Sequence, residues 1–234
     1  MARPRTPLLS RDRIVTAALG LADAEGLEAL STRRLATELS VSGPSLYNHF
    51  ATKDDLLDAV VDTVMGEVDL AMFDAPDDWR AALADWARSY RAALAAHPNI
   101  VPVLAQGPGR RPNALRLADA VFGCLVDAGW PRGQATRIGA LMRYFVTGSA
   151  LASFAAGFSG DAGLYADGYP HLGEAHLLSE HRGSIDEGAF ETGLEALLDG
   201  LELRYARTVG PSHPAGHQGS RATNAGRSEG STGS

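Results

Sequence analysis

The chain has 234 residues, 45% of them hydrophobic and 21% charged, which is ordinary for one or two globular domains. Its single cysteine excludes an intrachain disulfide framework, no signal peptide is evident, and no apolar run approaches the roughly 20 residues that span a bilayer. The net charge of -7 is uneven, because residues 1–50 hold six arginines against five acidic residues, or +1, which leaves -8 for the rest. We therefore expect a cytoplasmic protein whose front end is compatible with nucleic-acid binding.

The front of the chain predicts a series of short helices. An apolar stripe at i, i+3, i+4 and i+7 occupies residues 14–22, between Ser10 as a cap and Gly26 as a stop. A second helix is predicted over about 32–39, and a third follows a tight turn at about 43–49.

Two further caps can be read from the same stretch. Ser42 is predicted to cap the third helix, with Pro44 in the first turn, where its missing N–H is not needed. Thr52 and Asp55 form a capping-box pattern at the start of a fourth helix.

The back of the chain also has helical periodicity, and nothing alternates as a half-buried strand would. Residues 159–185 predict a mobile loop or short irregular helix, and residues 209–234 predict a disordered tail rich in Gly and Ser. The fold class is therefore all-α. The long helices are predicted over about 77–96, 113–128, 132–158 and 186–207.

The predicted elements match the helix-turn-helix plan, because a longer helix is followed by a short helix, a tight turn and a second short helix. In that plan the last helix enters the major groove. Hydroxyl groups and arginine can bond phosphates, and asparagine can read adenine. The polar side chains left to face DNA are Thr32, Arg33, Ser45, Tyr47, Asn48 and His49.

The residues that carry this pattern also carry a family resemblance. "LSTRRLA", "PSLYNHF" and "KDDLL", at these spacings within residues 11–60, resemble the DNA-binding domain of the tetracycline-repressor (TetR) family. The segment "DDWRAALADWARSYRAALAAHPN" and the long helix after residue 132 are more weakly similar to the ligand domain of that repressor. The resemblance implies a homodimer whose operator binding is relieved by a small molecule.

By the same resemblance, Tyr47 and His49 contact phosphates, and Lys53 contacts the DNA backbone. Gly43 stands where the tetracycline repressor has a base-reading side chain, so specificity must depend on other residues and on DNA shape. Arg3 and Arg5 add charge for an N-terminal arm. The DNA-contacting positions implied are Thr32, Arg33, Gly43, Pro44, Ser45, Tyr47, Asn48, His49 and Lys53.

The ligand region departs from the tetracycline repressor. Leu104 stands near the position at which that repressor has a metal-binding histidine, and Ser153 stands where it has an acidic residue. We therefore expect this chain to bind neither tetracycline nor a metal ion, and to use no cofactor. The pocket should be apolar and aromatic, although plain core packing explains its aromatic residues about equally well. The predicted ligand-binding residues are Trp86, Tyr90, Leu104, Gln106, Arg143, Tyr144, Thr147 and Phe154.

These observations predict a DNA-binding domain over 1–55 and a ligand-binding and dimerisation domain over 56–208. Small residues such as Gly139 and Gly193 let two long helices approach closely, either within one chain or across a dimer. The sequence predicts a ligand-responsive repressor that is not an enzyme. The alternative is a helical small-molecule-binding protein or enzyme whose helix-turn-helix no longer binds DNA.

Overall fold

A computed structural model describes residues 9–76, 78–105, 109–166 and 168–210. Every regular element in these ranges is helical, which confirms the all-α prediction. None of these helices combines the length and apolarity needed to cross a membrane. The α-helices are α1 Arg11–Glu25, α2 Thr32–Leu39, α3 Gly43–Tyr47, α4 Lys53–Met65, α5 Trp79–Ala96, α6 Pro112–Asp127, α7 Arg132–Leu151, α8 Gly163–Ala166 and α9 Arg182–Thr208, and the 3-10 helices are Leu27–Ala29, Ala71–Phe73, Pro98–Ala105, Ala155–Gly157 and Ala175–His181.

Helix α1 begins and ends where its sequence predicts. The Ser10 hydroxyl accepts the N–H of Arg13 at 3.2 Å, and Gly26 ends the helix with φ 83°, a conformation that a side chain would disfavour. The buried face of α1 includes Ile14 and Ala18, which belong to the core shared with α2 and α3. This core fixes the orientation of the two short helices that follow.

The turn between α2 and α3 has the expected length but not every expected contact. Ser40 closes α2 in the left-handed region with φ 56°. Ser42 stands at the N-cap of α3 as predicted, but its hydroxyl lies 2.7 Å from the hydroxyl of Ser45 and makes no capping bond to the backbone. Helix α3 also ends at Tyr47 rather than at His49.

Helix α4 joins the two halves of the molecule. The hydroxyl of Thr52 accepts the N–H of Asp55, and the Asp55 carboxylate accepts the N–H of Thr52, so the predicted capping box is confirmed. Val60, Val61 and Val64 are fully buried because α4 packs against α1, α5 and α6. A movement of α5 or α6 would therefore change the contacts that position α4.

The second half is a bundle of α5, α6, α7 and α9. Arg88 on the outer face of α5 bonds Glu191 on α9 at 2.8 Å, and Arg80 and Arg91 pair with Asp199 and Glu187 on α9 in the same way. Such exposed pairs each stabilise by only about 0–1 kcal/mol, so they align the two helices more than they hold them.

Small residues close the bundle from inside. A Cβ atom at Gly139 on α7 would collide with the ring of Phe122, and one at Gly193 on α9 would lie 2.7 Å from the ring of Phe145. These two glycines therefore serve packing within the chain, the first of the two alternatives that the sequence left open.

The long helices differ from prediction at their ends. Helix α7 ends at Leu151 and not at Phe158, because Ala152 is extended (φ -163°, ψ 156°) and the Ser153 hydroxyl accepts the N–H of Ala156 in a new turn. Helix α9 begins at Arg182, earlier than predicted. Between them lie only short helical pieces. Arg3, Arg5 and most of the predicted tail, residues 211–234, lie outside the described residues.

Candidate DNA-binding and effector sites

The first turn of α2 presents Thr32 and Arg33 to solvent. The guanidinium of the neighbouring Arg34 forms ion pairs within the chain, with Glu25 at 2.6 Å and with Glu38 at 2.9 Å. These hydrogen bonds, first that of Glu25, raise the pKa of Arg34. Among the described residues no carboxylate forms an ion pair with Arg33, which is exposed.

Helix α3 has one face in the core and the other in water. Leu46 and Phe50 are each 5% exposed and anchor the helix. Tyr47 is 59% exposed, Asn48 is also exposed, and His49 is half-buried. This is the arrangement that a recognition helix requires, because its anchors and its readers alternate around one turn.

A surface groove of about 270 Å³ collects polar groups from three helices. The first turn of α2 supplies Thr32, α3 supplies Tyr47, and the first turn of α4 supplies Lys53. The start of a helix attracts anions through its free N–H groups and its dipole, and Lys53 adds a full positive charge. We call this groove the phosphate cleft, after the ligand proposed below. Its polar lining residues are Ser31, Thr32, Tyr47, Thr52 and Lys53, and its apolar lining residues are Ile14, Leu30, Leu35, Leu46, Phe50, Ala51 and Leu56.

Arg11 braces the end of α3 from α1. Its Nη1 donates to the carbonyl oxygen of His49 at 2.8 Å, and its guanidinium carbon lies 4.0 Å from the ring centroid of Phe50. A cation near the C-terminal end of a helix is favourable, and the aromatic face adds a cation–π contact. No local sequence pattern indicates this role of Arg11, because His49 is 38 residues away and Phe50 follows it.

The second half encloses a small inner cavity of about 50 Å³. Tyr90 of α5, Leu104 of the 3-10 helix Pro98–Ala105 and Arg143 of α7 all line it, so three of the predicted ligand residues come together. The guanidinium of Arg143 donates to the carbonyl oxygen of Leu104 at 2.8 Å. The inner cavity is lined by Met65, Tyr90, Leu104, Arg111, Ala114, Leu117, Ala118 and Arg143.

Trp86 and Thr147 lie beside this cavity and not on its wall. The Trp86 indole stacks on Tyr90 with ring centroids 5.6 Å apart, is 1% exposed, and finds no hydrogen-bond partner for its N–H among the described residues. The Thr147 hydroxyl is 3.5 Å from that of Tyr90, which is a long contact. Gln106 lies outside the described residues.

Comparison with known families gives two matches along the chain. Residues 14–60 match the model of bacterial regulatory proteins of the tetR family, and residues 73–205, more than half of the chain, match the tetracyclin repressor-like C-terminal domain. The chain belongs to the tetracycline-repressor (TetR) family. It is a ligand-responsive, DNA-binding transcriptional regulator.

Individual relatives agree with this assignment. An HTH-type transcriptional regulator of Saccharopolyspora erythraea is 38% identical over 146 residues, which are 62% of this chain and 61% of that relative, so the match spans less than two thirds of its length. The tetracycline repressor protein class A from transposon 1721, from Escherichia coli, is 35% identical over 203 residues, or 84% of this chain and 92% of the relative. The crystal structure of the TetR family protein ActR of Streptomyces coelicolor in complex with (S)-DNPA superposes with a TM-score of 0.69 at 34% identity, covering 84% of this chain and 98% of ActR.

In this TetR-family protein the prediction that Tyr144 and Phe154 share the cavity of Tyr90 is wrong. Tyr144 is 69% exposed and Phe154 is 71% exposed, and both line an open groove of about 440 Å³ between α7 and α9. Adjacent helical residues point about 100° apart, and Tyr144 points into the outer groove while Arg143 lines the inner cavity. Phe154 leaves the predicted position because α7 ends at Leu151.

Side chains from the start of α6 grip α4. The Asp62 carboxylate accepts the N–H of Asn113 at 2.8 Å, and the Asn113 amide donates to the carbonyl oxygen of Asp62 at 2.8 Å. Arg111, which lines the inner cavity, donates to Asp58 at 3.0 Å through Nε. Helix α4, which begins in the DNA-binding half, is therefore hydrogen-bonded to a residue that lines the inner cavity.

Among the residues that the structure describes, no three His, Cys, Asp or Glu side chains approach closely enough to hold a metal ion. His171, His176 and His181, whose spacing argues against a shared helix face, therefore form no such group.

Proposed function

We propose that this protein is a repressor that binds a pseudo-palindromic operator as a homodimer and releases it when a small apolar or aromatic molecule enters the inner cavity. The phosphate cleft carries this proposal. It places two helix starts, the hydroxyls of Thr32 and Tyr47 and the ammonium of Lys53 on one surface of the helix-turn-helix. A DNA backbone phosphate is the ligand that this chemistry fits.

In this proposal the contacts divide by role. Thr32, Tyr47 and Lys53 hold phosphates in the cleft, and His49 holds another at the end of α3. Bases are read at the start and the exposed side of α3 and from α2. Gly43 has no side chain, so part of the specificity comes from DNA shape. The proposed base-reading residues are Arg33, Ser45 and Asn48, with Pro44 packed against the groove.

The α7–α9 groove supports the proposed dimer. Tyr144 and Phe154 expose large aromatic surfaces there, and Leu151 is also 56% exposed. Exposed apolar clusters of this kind mark interaction surfaces, and a twofold dimer covers the same patch on both copies. Such a dimer presents two recognition helices to successive major grooves.

The proposed effector is a small organic molecule with apolar or aromatic surface. A drug-sized pocket holds roughly 300–1,000 Å³, so the inner cavity must open to admit one. Opening would expose the Tyr90 hydroxyl, the Arg143 guanidinium and the unpartnered Trp86 N–H as polar anchors. The relative ActR was crystallised in complex with (S)-DNPA.

A gel-shift experiment with the DNA upstream of the protein's own gene tests the proposal. We expect a saturable shift that competes with unlabelled duplex of the same sequence and not with a shuffled duplex of the same composition. Absence of any shift at low salt, for this and the neighbouring intergenic fragments, would favour a helical small-molecule-binding protein without DNA function.

A further inference from the structure

His97 joins three parts of the molecule at the boundary between its halves. It follows the last residue of α5, and its Nδ1 lies 2.9 Å from the carboxylate of Asp23 on α1. Its Nε2 lies 3.0 Å from the carboxylate of Glu67, just beyond the end of α4. Both helices belong to the part of the chain that carries the helix-turn-helix or leads directly from it.

The two contacts require a charged ring. A neutral imidazole donates through one nitrogen only, so simultaneous donation to two ionised carboxylates needs the imidazolium. Burial by itself would lower the pKa of His97, but the hydrogen bonds and charges of Asp23 and Glu67 outweigh burial and raise it. Those two carboxylates are the charged groups that face the ring, and the neutral Asn99 lies beside them, donating to the carbonyl oxygen of Ala22 at 2.9 Å.

The 3-10 helix Pro98–Ala105, which we call the junction segment, connects this histidine to the inner cavity. It starts directly after His97, and near its other end Leu104 lines the cavity and accepts the hydrogen bond of Arg143. The same short segment therefore contacts the cavity at one end and α1 at the other. A ligand that displaces Leu104 must move or strain the contacts at His97.

We propose that His97 is a positioning residue of the effector response, which locks α1 and the end of α4 to the junction segment as an imidazolium and makes operator binding depend on pH. The coupling to operator binding rests on the function proposed above. The lock itself does not, because it concerns contacts within the chain.

An NMR titration of the histidines in the full chain tests the lock directly. We expect His97 to titrate above the ordinary value of about 6.5. Asp23→Asn and Glu67→Gln should each lower its pKa, whereas His171→Gln, an exposed histidine elsewhere, should leave it unchanged. A His97 that titrates at or below the ordinary value, or ignores both substitutions, overturns the lock.

Thermal unfolding gives a second readout of the same lock. Since the folded-state pKa is raised, the stabilisation is fully present below the unfolded value and is lost as pH rises through the folded value. At about pH 6 the Tm of the wild type should exceed that of His97→Gln by about 2–4 °C, and the difference should vanish by about pH 9. Asp23→Asn, which keeps the histidine, should lose the same pH-dependent difference. A gap that stays constant with pH would mean that His97 only fills space.

Operator titrations then test the coupling. The ratio of the operator affinity of the wild type to that of His97→Gln should change by about fivefold between about pH 6 and pH 9. Contributions of other groups near the DNA cancel in this ratio because both proteins contain them. Identical profiles, with His97 titrating as expected, overturn the coupling. If neither protein binds any duplex, the proposed function fails, while titration and melting still decide the lock.

Discussion

The DNA-binding half and the ligand half differ in how complete their sites are within one chain. In the first half, buried anchors such as Leu46 hold exposed side chains such as Tyr47 at the surface, and the phosphate cleft is open. In the second half, the inner cavity holds only about 50 Å³, and an open groove of about 440 Å³ with large apolar side chains lies between α7 and α9. The first site is formed within one chain, whereas in the proposed function the small cavity needs a ligand to open it and the groove needs a second copy to cover it.

The largest effect should follow from removing an anchor of the preformed site. Leu46→Ala leaves a cavity behind α3 and should lower the free energy of unfolding by about 2–5 kcal/mol, with loss of operator binding. Leu115→Ala, on the exposed side of α6, should change stability by less than about 0.5 kcal/mol. Urea unfolding of both variants measures this. Equal losses would mean that the two halves do not differ in the way described.

The uncovered groove of the second half should respond through assembly. Tyr144→Ser should weaken the proposed dimer by about 2 kcal/mol, a roughly 30-fold rise in its Kd, because a central interface aromatic contributes on this scale. Tyr169→Ser removes an exposed tyrosine that does not line the groove and should leave the dimer intact. Sedimentation velocity over a concentration series distinguishes them. A monomeric wild type, or a dimer unaffected by Tyr144→Ser, contradicts the proposed interface.

Two glycines offer the smallest and most local contrast. Gly139→Ala should cost about 1–3 kcal/mol, because its Cβ would collide with the Phe122 ring inside the bundle. Gly20→Ala on α1 meets nothing within 4 Å and should stabilise by about 0.4–1 kcal/mol. Thermal unfolding of the two variants should shift the Tm in opposite directions. Shifts of the same sign would show that the α6–α7 contact is looser than the structure indicates.

Much of the first half could be predicted because its signals are local. Ser10 and Thr52 each cap a helix through a backbone N–H three residues ahead, so a short stretch of sequence contains both partners. Ser42 also stands at its predicted N-cap, although its hydroxyl lies beside that of Ser45 and makes no capping bond to the backbone.

The second half was less predictable because its contacts are distant in sequence. His97 meets Asp23 across 74 residues, and no pattern in a single sequence encodes that pairing. Helical periodicity placed Tyr90 correctly in the interior, but it could not show that α7 ends at Leu151 and carries Phe154 outward. The helices themselves were predicted well, and their mutual arrangement was not.

The phosphate cleft is the centre of this account, and salt-dependent operator binding of Lys53→Gln and Tyr47→Phe tests it most directly. Both substitutions should weaken binding to every duplex by a similar factor, about tenfold, and Lys53→Gln alone should reduce the slope of log K against log salt by about 1. Fluorescence anisotropy with the operator and with base-substituted duplexes gives these values. Unchanged affinity and slope in Lys53→Gln, or a loss in Tyr47→Phe confined to one base position, would contradict the proposed cleft.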